Sequence, residues 1–285
     1  MRFLMNVLRT VLAPVMEAEE LAAVIRALCC ELLGIPELDY YMRTPIILTD
    51  EQQTVLADAV HRLQQDEPLQ YVLGSAPFAG LDIAVDGRVL IPRPETTALV
   101  RLVVEQCLPD AAILDVGTGS GCIALALSRN LPLAAVYGCD VSADALSMAK
   151  ANAERCSLPV TFFAADVLDH EAFGVETEMP MLDVLVSNPP YIRQCESAFM
   201  ASRVIRWEPS QALFVPDGDP LIFYRALARL GLSDRLRPGG LMAVEINQQF
   251  GMETCYIFEC HGYRDVRLSY DLYGQPRYVT CRKKD

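Results

Sequence analysis

The chain has 285 residues, 52% of them hydrophobic, which suits one large α/β domain with a smaller one attached. Its 37 acidic side chains outnumber 24 basic ones, and the formal charge of -13 repels polyphosphate, so no direct nucleic-acid binding is expected. The ten cysteines form no CxxC pair, and no stretch reaches about 18 consecutive apolar residues, which argues against a disulfide scaffold and a membrane span.

A soluble chain in a reducing, cytoplasmic compartment is therefore expected. No metal is expected either: Cys255, Cys260 and His261 lie close in sequence, but with three histidines in all a fourth ligand has no evident source. The opening MRFLMNVLRTVLAPVMEAEE is apolar like a signal peptide, yet Asn6 and Arg9 interrupt it and no A-x-A site follows.

Residues 1–75 carry apolar side chains at helical spacing, as in Leu21, Val24, Ile25, Leu28 and Leu32, and again in Leu56, Val60 and Leu63. Gly34-Ile35-Pro36 ends one helix and Thr49-Asp50-Glu51-Gln52 caps the start of another. This predicts a small helical domain without catalytic residues, suited to packing or to docking a substrate. Residues 76–92 turn β-like: 81–85 and 88–91 flank Asp86-Gly87, which predicts a β-hairpin linker. Pro92-Arg93-Pro94 cannot continue a central strand, and Glu95 opens an apolar-periodic helix.

In the remaining segment, 93–285, short β-rich runs (AAILDVG, AAVYGCD, VTFFAAD, LDVLVSN, GLMAVEI) alternate with helical stretches. That alternation predicts a parallel sheet covered by helices on both faces. The closing YRDVRLSYDL and RYVTCRKK read as an antiparallel pair at a sheet edge.

Asp115-Val116-Gly117-Thr118-Gly119-Ser120-Gly121 leaves a buried strand and enters a helix, so its glycines let a ligand approach the backbone. The third glycine comes one residue early for a dinucleotide fingerprint, which disfavours NAD. Asp115 would oppose pyrophosphate but suits a ligand carrying an ammonium group. Asp140, ending the next strand, can accept from ribose hydroxyls. Asp166 either meets an adenine amino group, with Val167 packed beside the ring, or is a solvated strand end.

Asn188 ends the LDVLVSN strand on the same sheet edge, followed by Pro189, Pro190 and Tyr191. The prolines supply no N-H and favour extended geometry before them, which makes a rigid acceptor site. An amide nitrogen is a weak nucleophile, so a catalyst must hold its hydrogens. The Asn188 side-chain oxygen and the Pro189 carbonyl suit that task, with Tyr191 packing on the planar group.

Together the glycine loop and the NPPY run resemble class I S-adenosylmethionine-dependent methyltransferases that act on nitrogen. From about residue 67 to 280 the chain is similar to the release factor glutamine N5-methyltransferases. The likeness rests on EPLQYVLG at 67–74, VLIPRPET at 89–96, LDVGTGSGCIALAL at 114–127, SNPPYI at 187–192, EP at 208–209, LRPGG at 236–240 and the D-x-x-G-x-x-R run from Asp271 to Arg277. The resemblance implies a Rossmann-like seven-stranded sheet, S-adenosylmethionine as cofactor, and the glutamine of the release factors' GGQ loop as substrate. It assigns the glycine loop to the cofactor and Asn188 to Tyr191 to the glutamine, and puts Arg93 over the substrate cleft, where a domain-linking turn is the alternative.

Departures from the family pattern fall at Thr97, at 214–217 around Pro216, and at Asn247; Glu245 is either a cleft residue or a structural acid. A ribosomal-protein glutamine methylase and a noncatalytic translation-factor-binding protein are the competing assignments.

Overall fold

The computed structural model describes residues 1–169, 173 and 179–284. Two compact units emerge: Met1–Ser75 with Ala201–Trp207, and Ala76–Met200 with Glu208–Asp285.

The first unit holds α1 (Arg2–Leu12), α2 (Ala18–Ala27), which runs on into a π-turn at Leu28–Leu32, α3 (Glu37–Met42), α4 (Asp50–Gln64) and α5 (Leu69–Leu73). The signal-like start is a helix of this bundle: Leu8 and Leu12 are buried while Phe3 and Val7 are exposed. Leu21, Val24, Ile25, Leu28, Leu56 and Leu63 meet those leucines in one core, as their three-to-four spacing requires. Helix α4 starts with a capping box. Thr49 Oγ1 accepts from Gln52 N at 3.2 Å and Gln52 Oε1 accepts from Thr49 N at 3.0 Å.

Next come β1 (Ser75–Phe78) and β2 (Leu81–Ala84), which form a two-stranded sheet. The chain turns between them at Ala79 and Gly80, with φ of 47° and 79°, the geometry of a two-residue hairpin turn. This corrects the expected hairpin: the strand at 81–84 pairs backward, and residues 88–91 form no strand. The reason is local. Asp86 Oδ1 accepts from Arg88 N at 3.0 Å, Asp86 O accepts from Val89 N at 3.1 Å, and Ile91 N donates to Glu208 Oε2 at 3.1 Å. Side-chain and turn partners thus satisfy backbone groups that would otherwise seek a ladder.

Beyond the hairpin lie α6 (Thr96–Gln106), β3 (Ala112–Val116), α7 (Cys122–Asn130), β4 (Ala135–Asp140), α8 (Ala143–Cys156), β5 (Val160–Ala164), β6 (Leu182–Ser187) and the short β7 (Ile192–Arg193). Helix α9 (Ser202–Trp207) belongs to the first unit, where Arg203 pairs with Glu20 and Asp66, and Ser202 Oγ donates to Asp66 Oδ2 at 2.8 Å. The second unit resumes with α10 (Ser210–Leu213), β8 (Phe214–Val215), α11 (Ile222–Leu232), β9 (Leu236–Glu245), α12 (Gly251–Cys260), β10 (Arg264–Tyr270) and β11 (Pro276–Arg282). Helix α11 starts at Ile222, after Asp219 and Pro220, and ends at Leu232.

Seven strands form one sheet in the order β10-β11-β9-β6-β3-β4-β5; β11 runs antiparallel to β9 and β10, and the others are parallel. All five residues of β3 are buried, as in a strand covered on both faces. From β3 the chain runs outward to β4 and β5, then returns to β6 on the other side of β3. Such a reversal opens a crevice at the carboxyl ends of β3 and β6.

Candidate active site

Sheet register assembles the site. Val116 is level with Ser187 on one side and with Cys139 on the other, so Gly117, Asn188 and Asp140 leave three neighbouring strands at one height. The Ser187 hydroxyl reinforces this by donating to the Val116 carbonyl at 2.7 Å.

The glycine loop folds back over β4, with Gly117 N and Thr118 N both donating to the Cys139 carbonyl at 2.9 Å. Gly117, Gly119 and Gly121 have φ of 71°, 54° and 81°, a region that costs other residues roughly 1–2 kcal/mol. A Cβ on Gly117 or Gly119 would meet nothing within 4 Å, whereas one on Gly121 would come within 3.2 Å of Ala149 Cβ and Phe162 Cζ. The first two glycines therefore face open space, and the third serves close packing where α7 begins.

That open space is a cleft of about 980 Å³, including its mouth. Gly117, Thr118, Gly119, Ser120, Asp140, Asp166, Val167, Asn188, Pro190 and Arg93 all line it, so most of the predicted site residues come together. Asp140 Oδ2 accepts from Gly119 N and Oδ1 from Ser142 N, each at 2.9 Å, leaving further lone pairs for a ligand. Burial pushes the Asp140 carboxyl above its ordinary range, against the pull of those amides. Asp166 lies two residues past β5, exposed, and Val167 is buried.

Four predicted residues lie elsewhere. Gly121 serves packing, as above. Asp115 is fully buried behind the loop: Oδ2 accepts from Thr118 Oγ1 at 2.6 Å and from Ala124 N at 3.3 Å, while Oδ1 has no partner. Burial raises its carboxyl to about 7. Asp115 thus braces the loop from behind instead of presenting a carboxylate to a ligand. Pro189 is buried and does not line the cleft. The Tyr191 ring packs against the core of the sheet, and its hydroxyl donates to Glu245 Oε1 at 3.1 Å, so it does not stack over the cleft as its sequence position suggests.

Other residues were not legible as partners in the sequence. Asn188 Nδ2 donates to Thr96 Oγ1 at 3.2 Å, and Thr96 Oγ1 donates to Glu245 Oε2 at 2.8 Å. Thr96 stands where a helix-start threonine is ordinary, which hides this role; the acid at the end of β9 was the visible signal. An ion pair at the cleft is a second such case. Arg93 Nη2 pairs with Glu208 Oε1 at 2.6 Å, and Glu208 is only 4% exposed. Buried Asn152 ties the end of β2 to the glycine loop, bonding both polar groups of Ala84 and donating to the Ser120 carbonyl at 2.9 Å.

Residues 94–225 match the family described as "Methyltransferase small domain", and residues 7–74 match "PrmC N-terminal domain". The chain is 44% identical over 277 residues to a protein of Bacteroides thetaiotaomicron named release factor glutamine methyltransferase, covering 97% of this chain and 98% of that one. A protein of the same name from Streptococcus pneumoniae is 36% identical, covering 93% of this chain and 91% of its own. Among solved structures, a methyltransferase from Pyrococcus furiosus matches with a TM-score of 0.55 at 17% identity, covering 80% of this chain and all (100%) of the other; this likeness speaks for the fold alone.

Proposed function

Since the chain belongs to the release factor glutamine methyltransferase family, we propose that it methylates the N5 side-chain nitrogen of the glutamine in the GGQ motif of peptide-chain release factors. The observation that carries this is the register that sets Asn188 beside the open face of the glycine loop, so one cleft offers both a cofactor cradle and an amide acceptor.

The residues fit S-adenosylmethionine. Gly117 and Gly119 leave their Cα faces clear, Asp140 keeps acceptor capacity suited to ribose hydroxyls, and Asp166 with Val167 borders the region where an adenine would lie. When bound, the cofactor supplies an electrophilic methyl group on a sulfonium sulfur.

The chain's own residues prepare the nucleophile. Asn188 Oδ1 accepts from the substrate amide hydrogens and favours the positive charge that develops at nitrogen. Pro190 narrows the wall beside it. Holding the substrate amide beside the bound cofactor would contribute on the order of 7–11 kcal/mol as avoided entropy and reorganisation. Methyl transfer would leave the substrate nitrogen acidic and its proton would pass to water, so the site requires no strong base.

Docking of a release factor on the helical unit 1–75 is part of the same proposal, as is action in the cytoplasm; among the described residues no helix is long and apolar enough to cross a membrane. The test uses purified enzyme, labelled S-adenosylmethionine and a release factor, native and with its GGQ glutamine replaced, with the labelled position mapped by mass spectrometry. Label on that glutamine, lost in the replaced substrate and reduced at least 100-fold by Asn188→Ala, is expected. Label at any other residue refutes the substrate assignment.

A further inference from the structure

Asn and its amide can be turned either way, and only one orientation offers an oxygen to a substrate. The neighbours of Asn188 decide which. Glu245 lies at the end of β9, 1% exposed, with each carboxylate oxygen accepting from one hydroxyl: Oε2 from Thr96 at 2.8 Å, Oε1 from Tyr191 at 3.1 Å. A carboxylate has no proton to give, and a threonine hydroxyl has one. Once Thr96 spends its proton on Glu245, only its lone pairs remain for Asn188, which must turn its NH2 toward Thr96. Reversing the Asn188 amide would set its oxygen against the Thr96 oxygen at 3.2 Å with no hydrogen between them.

We infer that Thr96 and Glu245 are positioning residues that fix the Asn188 amide with its oxygen toward the cleft, which makes it an acceptor for the substrate nitrogen. The inference rests on the methyl-transfer reaction proposed above. It adds to the reaction a directional chain, Asn188 to Thr96 to Glu245, whose polarity is set at the buried end. Asn247 secures the same loop from the same strand end: its Nδ2 donates to the Tyr191 carbonyl at 3.1 Å and its Oδ1 accepts from Gln249 N at 2.9 Å. Tyr191 is thereby held at its hydroxyl by Glu245 and at its backbone by Asn247.

The polarity depends on Glu245 remaining ionised. The titratable and charged groups that face it are Glu95, Cys122, Tyr191, Tyr224, Tyr278 and Arg277. Burial raises the Glu245 carboxyl, while hydrogen bonds from Thr96 and Tyr191 and the charge of Arg277 lower it and Glu95 raises it further. A protonated Glu245 can donate to Thr96, which frees the threonine proton for the Asn188 oxygen and removes the acceptor from the cleft. Turnover therefore declines as pH falls through the raised carboxyl value.

The experiment compares wild type, Thr96→Val, Thr96→Ser, Glu245→Gln and Asn188→Ala for kcat and KM with a release factor, with cofactor Kd measured separately. Thr96→Val is expected to lower kcat at least tenfold with cofactor Kd within twofold of wild type, and Thr96→Ser to stay within threefold of wild-type kcat. Glu245→Gln is expected to lower kcat and to abolish the acid limb of the wild-type kcat profile. Thr96→Val with kcat within twofold of wild type overturns the inference, as does a Thr96→Ser loss equal to that of Thr96→Val. Should Thr96→Val not fold, Glu245→Gln carries the test, and unchanged kcat with the acid limb intact overturns it. Inactive Asn188→Ala beside an active Thr96→Val sinks this inference alone, whereas a wild type that labels no release factor sinks the underlying reaction with it.

Discussion

Asp115 illustrates how a residue beside a ligand loop can matter through burial. With its Oδ1 unpartnered and its carboxyl raised to about 7, against an ordinary value of about 3.9, the folded chain holds the proton more tightly than the unfolded one. Its contribution is therefore most favourable in acid and is lost as pH rises from about 4 to about 7. Between pH 5 and pH 8 this is worth about 2–3 kcal/mol, and Asp115→Asn should remove it. Denaturant unfolding of the cofactor-free protein at both pH values is the check: the wild type should lose more stability than the variant, and parallel losses would refute the assignment. Glycine positions at this scale were readable from spacing, because a positive φ leaves glycine as the one unstrained choice. Which way the Asp115 carboxylate faced was not, because burial depends on α7 and β4 packing over it.

Among the elements, helix α4 is the clearest match between local sequence and structure. Thr49 and Gln52 close a reciprocal cap within four residues, so nothing distant was needed to foresee it. Thr49→Ala should cost about 1 kcal/mol in urea unfolding, and Thr49→Ser should restore most of it. The segment 88–91 shows the opposite case. Its apolar run after Asp-Gly satisfied the local rules for a hairpin strand, but its Ile91 amide is claimed by Glu208, 117 residues away. The strand that does pair with 81–84 precedes it, through an Ala-Gly turn that carries a weaker signal than Asp-Gly.

At the scale of the whole molecule, the two units are interleaved in sequence: α9 returns residues of the later chain to the first unit. The chain's single tryptophan, Trp207, lies in that helix, so its fluorescence reports on the first unit. Arg203→Ala removes ion pairs to Glu20 and Asp66 whose side chains are about one-third exposed, which should cost only about 0.5–1 kcal/mol. The fluorescence-detected unfolding midpoint should fall accordingly, and an unchanged midpoint would show that α9 is held by packing alone. The sequence by itself determined the alternating α/β order, the antiparallel edge, the glycine loop and the place of Asn188 at a strand end, because periodicity, backbone restriction and strand-end position act over a few residues. Only the tertiary structure decided the true hairpin partner, the Arg93–Glu208 ion pair and the Asn188–Thr96–Glu245 chain. Each of these joins residues more than 90 apart or settles which of two adjacent segments pairs, and local composition carries no information about which distant polar group will satisfy a buried one.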